Sequence, residues 1–492
     1  NMIQQVISEL NLEIDLADIF KEPVLKDFAK RVEKANSSNY QRLEPVKKRD
    51  YYPVSAAQKR LYLFEEIKGT NTVYNIPNAL LIEGELDREA LNYAIDCLIE
   101  RHEALRTYFK KVNNEVVQII EDQVQFEVEQ LEKGDRDIEQ LIKDFIRPFQ
   151  LGKPPLMRVG LVPFEEKVLV IFDLHHIIAD GVSMDILSRE FLHLYDGQKL
   201  ESLDIQYKEY AIWQRELFQS EKIIELEDYW LDRFSNGVTP LELPTDFARP
   251  EEMTMEGEMV HFDLEGELVE KLYQFANEQD ATLFMVLLAA YNILFSKYSG
   301  QKEIVVGSPI AGRNHPDLDN IIGMFVNTLA LLNRPESHLT FAEFLEQVKD
   351  NTLQAYQHQD YQFEMLVEKL NLNLERNRTP IFDVMLVVQN MVGDRPESAD
   401  LNVTVHTPET GTAKFDITLY VIEDDGIQFN LNYRTSLFKR ETIERMRDKF
   451  INIIEEVVQD PDKRIVDIGR EEDESQMDDL MGDLTDDLEF EL

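Results

Sequence analysis

Two adjacent histidines, His175 and His176, close a short apolar run and precede an aspartate and a glycine. The segment has the sequence HHIIADG, and the apolar residues 168–172 before it are typical of a buried strand. Histidine is the side chain whose ordinary pKa allows it to gain or lose a proton near neutral pH. A histidine at the end of a strand can therefore accept a proton from an incoming nucleophile or hold that nucleophile in position.

The two histidines are not expected to bind a metal. Successive side chains of a strand point to opposite faces, so His175 and His176 cannot reach one ion from regular strand geometry. The sequence has no HExxH motif, no evident third ligand nearby and only one cysteine. We therefore expect His175 to enter the core or a hydrogen-bond network and His176 to face a cavity.

No covalent nucleophile accompanies the histidines. Ser183 lacks the GxSxG elbow, and we expect its hydroxyl to cap or turn the backbone before the helical pattern at 184–195. Neither GxxxxGK[ST] nor GxGxxG occurs, so no nucleotide chemistry and no tightly bound cofactor are expected. The chemistry that remains is direct transfer between two bound substrates.

The elements that must position this segment alternate between helices and strands. Amphipathic or apolar helical patterns predict helices at 86–105, 268–279, 281–300, 337–359 and 439–460. Strands are predicted at 167–174, 302–310, 380–391 and 426–438. This alternation predicts an α/β fold with mixed layers.

A chain of 492 residues is too long for one small core, and a turn-rich segment at 220–245 marks a break. The predicted units are a helical segment at 1–35, a polar linker at 36–50, a first lobe at 51–225, a second lobe at 226–469 and an acidic tail at 470–492. The tail has eleven acids and no base after Arg470, with apolar residues at helical spacing. It is either a solubilising tail or a docking helix that forms on a partner.

The net charge of −44 argues against nucleic acid or an anionic membrane as the main partner. The single cysteine, Cys97, lies in a helical pattern and is expected in the core, which favours a reducing cytoplasm. The longest apolar run, 283–295, is too short to span a bilayer, and no signal peptide is evident.

The segment HHIIADGVS resembles the HHxxxDG signature of the chloramphenicol-acetyltransferase-like superfamily, in particular that of condensation domains of nonribosomal peptide synthetases. Six further segments resemble motifs of that family in the family's order. They are YPVSAAQKRLYLFEE (52–66), RHEALRTYF (101–109), YKEYAIWQ (207–214), IIGMFVNTLALL (321–332), HQDYQFEMLVEKL (358–370) and ERNRTPIFDVML (375–386).

Three positions depart from the usual motifs: Gln362 replaces a proline, Thr379 stands near the usual serine/asparagine–proline step, and Val182 replaces a common tryptophan. None of them removes a candidate catalytic group. The opening SAAQKRLYLF resembles condensation domains that accept a donor ending in an L-residue. The intact FVNT and Met184 after Ser183 favour this type over an epimerisation domain.

The resemblance implies two chloramphenicol-acetyltransferase-like α/β sandwich lobes in a V-shaped pseudo-dimer, with the active site in a tunnel between them. An upstream and a downstream peptidyl carrier protein would each bring a thioester on 4'-phosphopantetheine to this tunnel. The acceptor amine would attack the donor carbonyl to form an amide. Adenylation domains of the same antibiotic-producing assembly line are the other implied partners.

The resemblance makes His176 the catalytic position, either as general base or as a group that positions the amine. His175 would support the site by packing and hydrogen bonding. Asp180 would form a structural ion pair, with Arg313 as the first choice of partner and Arg60 as the second.

Four further residues are expected at the tunnel. Gly181 is assigned to catalysis because its amide could face the reacting carbonyl. Ser183, Ser308 and Asn327 are expected to line the substrate tunnel, although turn or strand-end hydrogen bonding remains an equal alternative for Ser308 and Asn327.

The helical segment at 1–35 resembles the last helices of a peptidyl carrier protein. The LGGxS motif with the attachment serine does not occur in the given sequence, so we expect this segment as it stands to carry no phosphopantetheine arm. Two alternatives to condensation remain: a non-catalytic recruitment module, which would often lose the second histidine, and an acyltransferase that uses another thioester donor such as coenzyme A.

Overall fold

The computed structural model describes residues 25–35, 42–84, 86–164, 167–372, 375–390, 402–406, 411–423 and 426–470, and the single positions 6, 10, 12 and 14. The predicted acidic tail, apart from Arg470, lies outside the described residues. So do most residues of the predicted carrier-like segment at 1–35, of which the structure describes one helix.

The described residues form twelve α-helices. They are α1 (Leu25–Lys34), α2 (Ala56–Lys68), α3 (Arg88–Arg101), α4 (Ile138–Phe145), α5 (Gly181–Tyr195), α6 (Tyr207–Leu217), α7 (Lys222–Arg233), α8 (Glu267–Glu278), α9 (Leu283–Ser299), α10 (Phe341–Gln357), α11 (Phe363–Leu370) and α12 (Arg440–Gln459). The five helices predicted from periodicity correspond to α3, α8, α9, α10 and α12 and are confirmed.

The strands are β1 (Tyr52–Pro53), β2 (Asn75–Glu83), β3 (Thr107–Val112), β4 (Glu115–Ile120), β5 (Glu129–Gln130), β6 (Met157–Phe164), β7 (Lys167–His175), β8 (Gly257–Leu264), β9 (Ile304–Ile310), β10 (Asn327–Asn333), β11 (Val384–Asn390), β12 (Asn402–His406), β13 (Ile417–Glu423) and β14 (Ile427–Arg434). The four predicted strands correspond to β7, β9, β11 and β14. The remaining ten strands were not predicted from the sequence; β1 and β5 have only two residues each, too few to show a periodicity.

The strands form three sheets. The first lobe contains a three-stranded sheet in the order β1-β4-β3 and a five-stranded sheet in the order β12-β2-β7-β6-β5. The second lobe contains a six-stranded sheet in the order β10-β9-β11-β13-β14-β8. Within the five-stranded sheet, β7 lies between β2 and β6 and pairs antiparallel with both, so the strand that leads to the paired histidines is central and rigidly held.

One strand crosses between the lobes. β12 belongs in sequence to the second lobe but pairs antiparallel with β2 at the edge of the first lobe's sheet, with Val403 opposite Ile82. The first lobe's apolar core also includes Ile322 and Met324, which lie beyond the predicted break in the sequence. The two lobes are therefore joined by a shared sheet and a shared core.

The second lobe is built around α9. Eleven consecutive residues of this helix, Met285 to Phe295, are buried, as expected of a helix that is apolar on every side. It ends at Gly300, whose φ of 69° is the left-handed conformation that glycine adopts without strain. No single helix among the described residues is long and apolar enough to cross a bilayer; α8 and α9 reach that length only together, across a bend of 102°.

Candidate active site

His175 is the last residue of β7 and is completely buried. Its Nδ1 accepts a hydrogen bond from the backbone N–H of Ile177 at 3.1 Å, so the ring proton of the neutral imidazole lies on Nε2. Nε2 faces the Glu65 carboxylate at 3.3 Å, and Phe149 packs edge-on against the ring. The structure thus places His175 in the interior network expected from the sequence.

His176 follows the strand and begins a turn, so its orientation is set by turn geometry rather than by strand alternation. Its Nδ1 lies 2.9 Å from the carbonyl oxygen of Ala179, which can only accept a hydrogen bond. The proton of the neutral ring is therefore on Nδ1, and Nε2 keeps a free lone pair. The half-buried ring also contacts Tyr74, whose carbonyl accepts the His176 N–H at 2.8 Å.

The imidazole of His176 is neutral at physiological pH. Burial, followed by the positive charge of Lys414, lowers the pKa of His176 to about 3. Both causes disfavour the imidazolium ion. His176 therefore presents an uncharged hydrogen-bond acceptor rather than a strong base.

Asp180 is completely buried and is the N-cap residue of α5. Its Oδ1 accepts hydrogen bonds from the backbone N–H and the hydroxyl of Ser183, at 2.8 and 2.7 Å, and from Arg313 at 3.1 Å. Its Oδ2 accepts the backbone N–H of Phe325 at 3.1 Å. The carboxylate thus caps a helix of the first lobe and binds a loop of the second lobe.

The ion pair expected between Asp180 and Arg313 is present in the structure. The other nitrogen of the Arg313 guanidinium donates to the carbonyl oxygens of Leu318 and Ile321, at 2.7 and 2.6 Å, and the guanidinium lies over the Phe325 ring. The second choice, Arg60, is not the partner of Asp180. Its guanidinium instead contacts a carboxylate of α11, Glu364, at 2.7 Å, because α2 packs there against the second lobe.

Two predictions for Ser183 need correction. It is not the N-cap of α5, because Asp180 occupies that position. It does not line a tunnel either, since it is completely buried and its hydroxyl bonds to Asp180, Arg313 and the backbone of Gly323. Its role in the structure is to join the two lobes beneath the paired histidines.

The other predicted tunnel residues lie in separate environments. Asn327 is buried, and its amide donates to the carbonyl oxygens of Gln359 and Tyr361 while its own oxygen accepts from Phe363 N–H. The polar atoms of Asn327 are thus taken up by the fold, which favours the alternative of structural hydrogen bonding. Ser308 on β9 lines a cavity of about 730 Å³ in the second lobe.

Gly181 is the exposed first residue of α5. A Cβ atom built there would meet no heavy atom within 4 Å. The space in front of Gly181 is therefore open, which leaves room for a substrate beside the histidines. Among the described residues, no group of three or more histidine, cysteine, aspartate or glutamate side chains could hold a metal ion.

Lys414 also lies at the candidate site, and it was not predicted from the sequence. It precedes β13 in the second lobe, and its Nζ lies 4.7 Å from the centroid of the Tyr74 ring. Burial, followed by the positive charge of Arg60, lowers its pKa to about 8. Lys414 lies outside all seven segments that resemble family motifs. Only the packing of the two lobes shows that it is a neighbour of His176.

Comparison with known proteins gives consistent matches. The model of the family described as "Condensation domain" matches residues 48–478. Tyrocidine synthase 3 of Brevibacillus parabrevis is 47% identical over 458 residues, which cover 93% of this chain and 7% of that protein. Gramicidin S synthase 2 of Aneurinibacillus migulanus is 44% identical over 479 residues, which cover 96% of this chain and 11% of that protein. The chain thus spans only a small part of these relatives.

Among solved structures, the X-domain from teicoplanin biosynthesis matches with a TM-score of 0.81 and 25% sequence identity. The match covers 87% of this chain and 99% of the X-domain. The overall fold is therefore that of a known structure.

Proposed function

Because the chain belongs to the condensation-domain family of nonribosomal peptide synthetases, whose members form amide bonds, we propose that it joins two carrier-bound thioesters. Its mixed α/β fold is chloramphenicol-acetyltransferase-like, as the sequence predicted. The donor is an aminoacyl or peptidyl thioester that ends in an L-residue, and the acceptor is an aminoacyl thioester. Both are held on the 4'-phosphopantetheine arms of separate carrier proteins, in a cytoplasmic assembly line with adenylation domains.

The reaction forms a carbon–nitrogen bond and breaks a carbon–sulfur bond. The acceptor amine attacks the donor carbonyl carbon, and the electron pair of the carbonyl π bond moves to oxygen. Collapse of this tetrahedral intermediate expels the donor thiolate, which takes the C–S electron pair. The proton lost by the amine neutralises the thiolate, so no external oxidant, reductant or acid is needed.

The observation that carries the proposal is the hydrogen bond from His176 Nδ1–H to the Ala179 carbonyl. This bond leaves the Nε2 lone pair as an acceptor for an N–H of the attacking amine. A group whose pKa is about 3 removes a proton poorly at neutral pH, so the low pKa supports positioning of the amine over general-base catalysis. Holding a neutral amine against the carbonyl can itself lower the barrier by several kcal/mol, up to about 7–11 kcal/mol in well-oriented systems.

The test loads donor and acceptor carriers with amino acids and follows dipeptide formation by mass spectrometry in single-turnover mixtures. We expect the parent chain to form the dipeptide and the His176→Ala variant to form almost none. His338→Ala is the matched control, because that histidine is exposed and its side chain is 71% accessible.

Equal dipeptide formation by the parent and the His176→Ala variant would contradict the assignment of His176. If the parent forms no dipeptide but transfers the acyl group to an amine or alcohol from coenzyme A, the donor class is wrong. If the parent only binds its carriers, the proposal of catalysis fails and a recruitment role takes its place.

A further inference from the structure

Lys414 brings a positive charge from the second lobe to the histidine of the first lobe. Its ammonium group lies over the face of Tyr74 at 4.7 Å from the ring centroid, and Tyr74 contacts His176 through both its ring and its backbone carbonyl. The charge is close enough to His176 to contribute to the low pKa of that imidazole. Tyr74 is therefore the common neighbour of the catalytic position and the lysine.

The ammonium group of Lys414 differs from the neighbouring cation in its partners. The neighbouring cation has an ion-pair partner, whereas the Lys414 ammonium has neither a hydrogen bond nor an ion pair among the described residues. Arg60, whose positive charge acts on Lys414, is paired with Glu364. In the described part of the chain, Lys414 Nζ makes no hydrogen bond and no ion pair, and its recorded contact is the face of Tyr74. A partly buried cation without a carboxylate beside it favours the appearance of negative charge nearby.

Lys414 carries its charge under the conditions of the reaction. Its pKa of about 8 leaves it protonated at neutral pH, although burial and Arg60 both oppose that charge. Arg60 is less suited to receive a new negative charge, because Glu364 already neutralises its guanidinium at 2.7 Å. Of the two cations, Lys414 and Arg60, Lys414 is therefore the one that is available to a substrate.

We propose that Lys414 is a further catalytic residue, which donates a hydrogen bond from its ammonium group to the oxyanion of the tetrahedral intermediate. This inference rests on the proposed function. His176 Nε2 accepts an N–H of the attacking amine while Lys414 stabilises the oxygen that gains the carbonyl electron pair. Lys414 keeps its proton throughout, and the amine proton ends on the departing thiol, so the step remains balanced.

The first test compares Lys414→Met, which keeps the length of the side chain but removes its charge, with Lys414→Arg, which retains the charge. The matched control is Lys439→Met, because Lys439 is exposed and also lies over an aromatic ring, that of Phe247. The donor remains on its carrier, and the acceptor is supplied as an N-acetylcysteamine thioester. We expect kcat to fall about 100-fold in Lys414→Met, the size of the loss of one oxyanion donor, with little change in KM.

The second test separates a charge effect from a structural one. The rate of the parent relative to Lys414→Met is measured between pH 6 and pH 10, so that titration of the acceptor amine cancels. The parent should lose its advantage as pH rises through about 8, since Lys414 then loses its proton. Lys414→Arg should keep its advantage over Lys414→Met through the same range, because an arginine remains charged.

A third test measures the pKa of His176 in the absence of substrate. The pKa of His176, followed by NMR of the imidazole, should rise in Lys414→Met and stay low in Lys414→Arg. Melting temperatures of all variants are recorded. If Lys414→Met does not fold, the rate of Lys414→Arg relative to the parent is measured over the same pH range, and this ratio should rise as pH passes about 8.

Failure of the proposed condensation activity and failure of the role of Lys414 give different results. If the parent makes no dipeptide, the proposed function fails. If the parent is active and Lys414→Met matches Lys439→Met in kcat, the role of Lys414 is overturned. It is also overturned if Lys414→Arg loses its advantage over Lys414→Met through pH 8 as the parent does.

Discussion

At the scale of single residues, different hydrogen bonds give the two adjacent histidines different tautomers. The backbone N–H of Ile177 makes His175 an Nε2–H tautomer, and the Ala179 carbonyl makes His176 an Nδ1–H tautomer. Neighbouring imidazoles therefore present opposite ring nitrogens to their surroundings. Only His176 retains an acceptor nitrogen that can meet a substrate.

His176 should remain neutral down to mildly acidic pH. Its pKa of about 3 in the folded protein lies below the value of about 6.5 for an unperturbed histidine. The imidazole signal of His176, assigned by loss in His176→Ala, should stay constant in NMR spectra between pH 7.5 and pH 5. A signal that moves with a midpoint near pH 6.5 would contradict the buried, neutral state.

The same shift has a consequence for stability. Between about pH 6.5 and pH 3 the unfolded chain binds a proton at His176 that the folded chain does not bind. This residue therefore lowers the free energy of unfolding as pH falls through that window.

Asp180 should matter for stability as well as for activity. Asp180→Ala removes acceptors for Ser183, Arg313 and Phe325 and leaves a buried guanidinium without its carboxylate, so we expect a loss of roughly 3–5 kcal/mol in the free energy of unfolding. Urea unfolding followed by circular dichroism measures it.

The control for that loss is Asp122→Ala, which removes the exposed partner of Lys48 and should leave unfolding unchanged. A loss in Asp180→Ala no larger than in this control would show that the buried network is not stabilising.

At the scale of elements, the start of α5 and the loop before β10 form one packed unit. Gly323 lies in this loop, and a Cβ atom built there would come within 1.8 Å of the Tyr207 ring. The Tyr207 hydroxyl in turn donates to an oxygen of Ser55 or Met324. The loop, α6 and the start of α2 therefore approach each other as closely as a glycine permits.

Gly323→Ala should destabilise the protein by roughly 1–3 kcal/mol, the usual cost of overpacking, and should reduce activity because it shifts the loop that holds Asp180. Differential scanning calorimetry and the dipeptide assay measure the two effects. Gly181→Ala is the contrasting variant: its Cβ meets nothing within 4 Å, so stability should be unchanged, whereas activity should fall if substrate occupies that space. Equal melting temperatures for the two variants would contradict the crowding at Gly323.

At the scale of the whole molecule, the crossing of β12 and the shared core make each lobe dependent on the other. Residues 51–225 expressed alone should aggregate, because the edge of β2 loses β12 and the core loses Ile322 and Met324. Size-exclusion chromatography and circular dichroism compare this fragment with the full chain. A folded monomeric fragment would contradict the dependence of the first lobe on the second.

The periodicity of side chains and the order of short motifs in the sequence were enough to predict many of the secondary-structure elements and the family. Five helices and four strands follow from periodicity, since side chains on one face of an element recur at fixed spacing. The order of seven motifs predicted the family, and the resemblance also predicted the ion pair between Asp180 and Arg313. The assignment of His176 as the catalytic position stays a prediction.

The tertiary structure decided what depends on contacts between distant residues. Ser183 is buried by a loop 140 residues away, Arg60 is paired across the lobes with Glu364, and Lys414 reaches Tyr74 from the far end of the chain. No local pattern encodes such pairs, because burial and charge at one position are set by whichever segment the fold places against it. The sequence was therefore enough to single out His176 as a candidate. The electrostatic environment that lowers its pKa and places Lys414 near it depends on the tertiary structure.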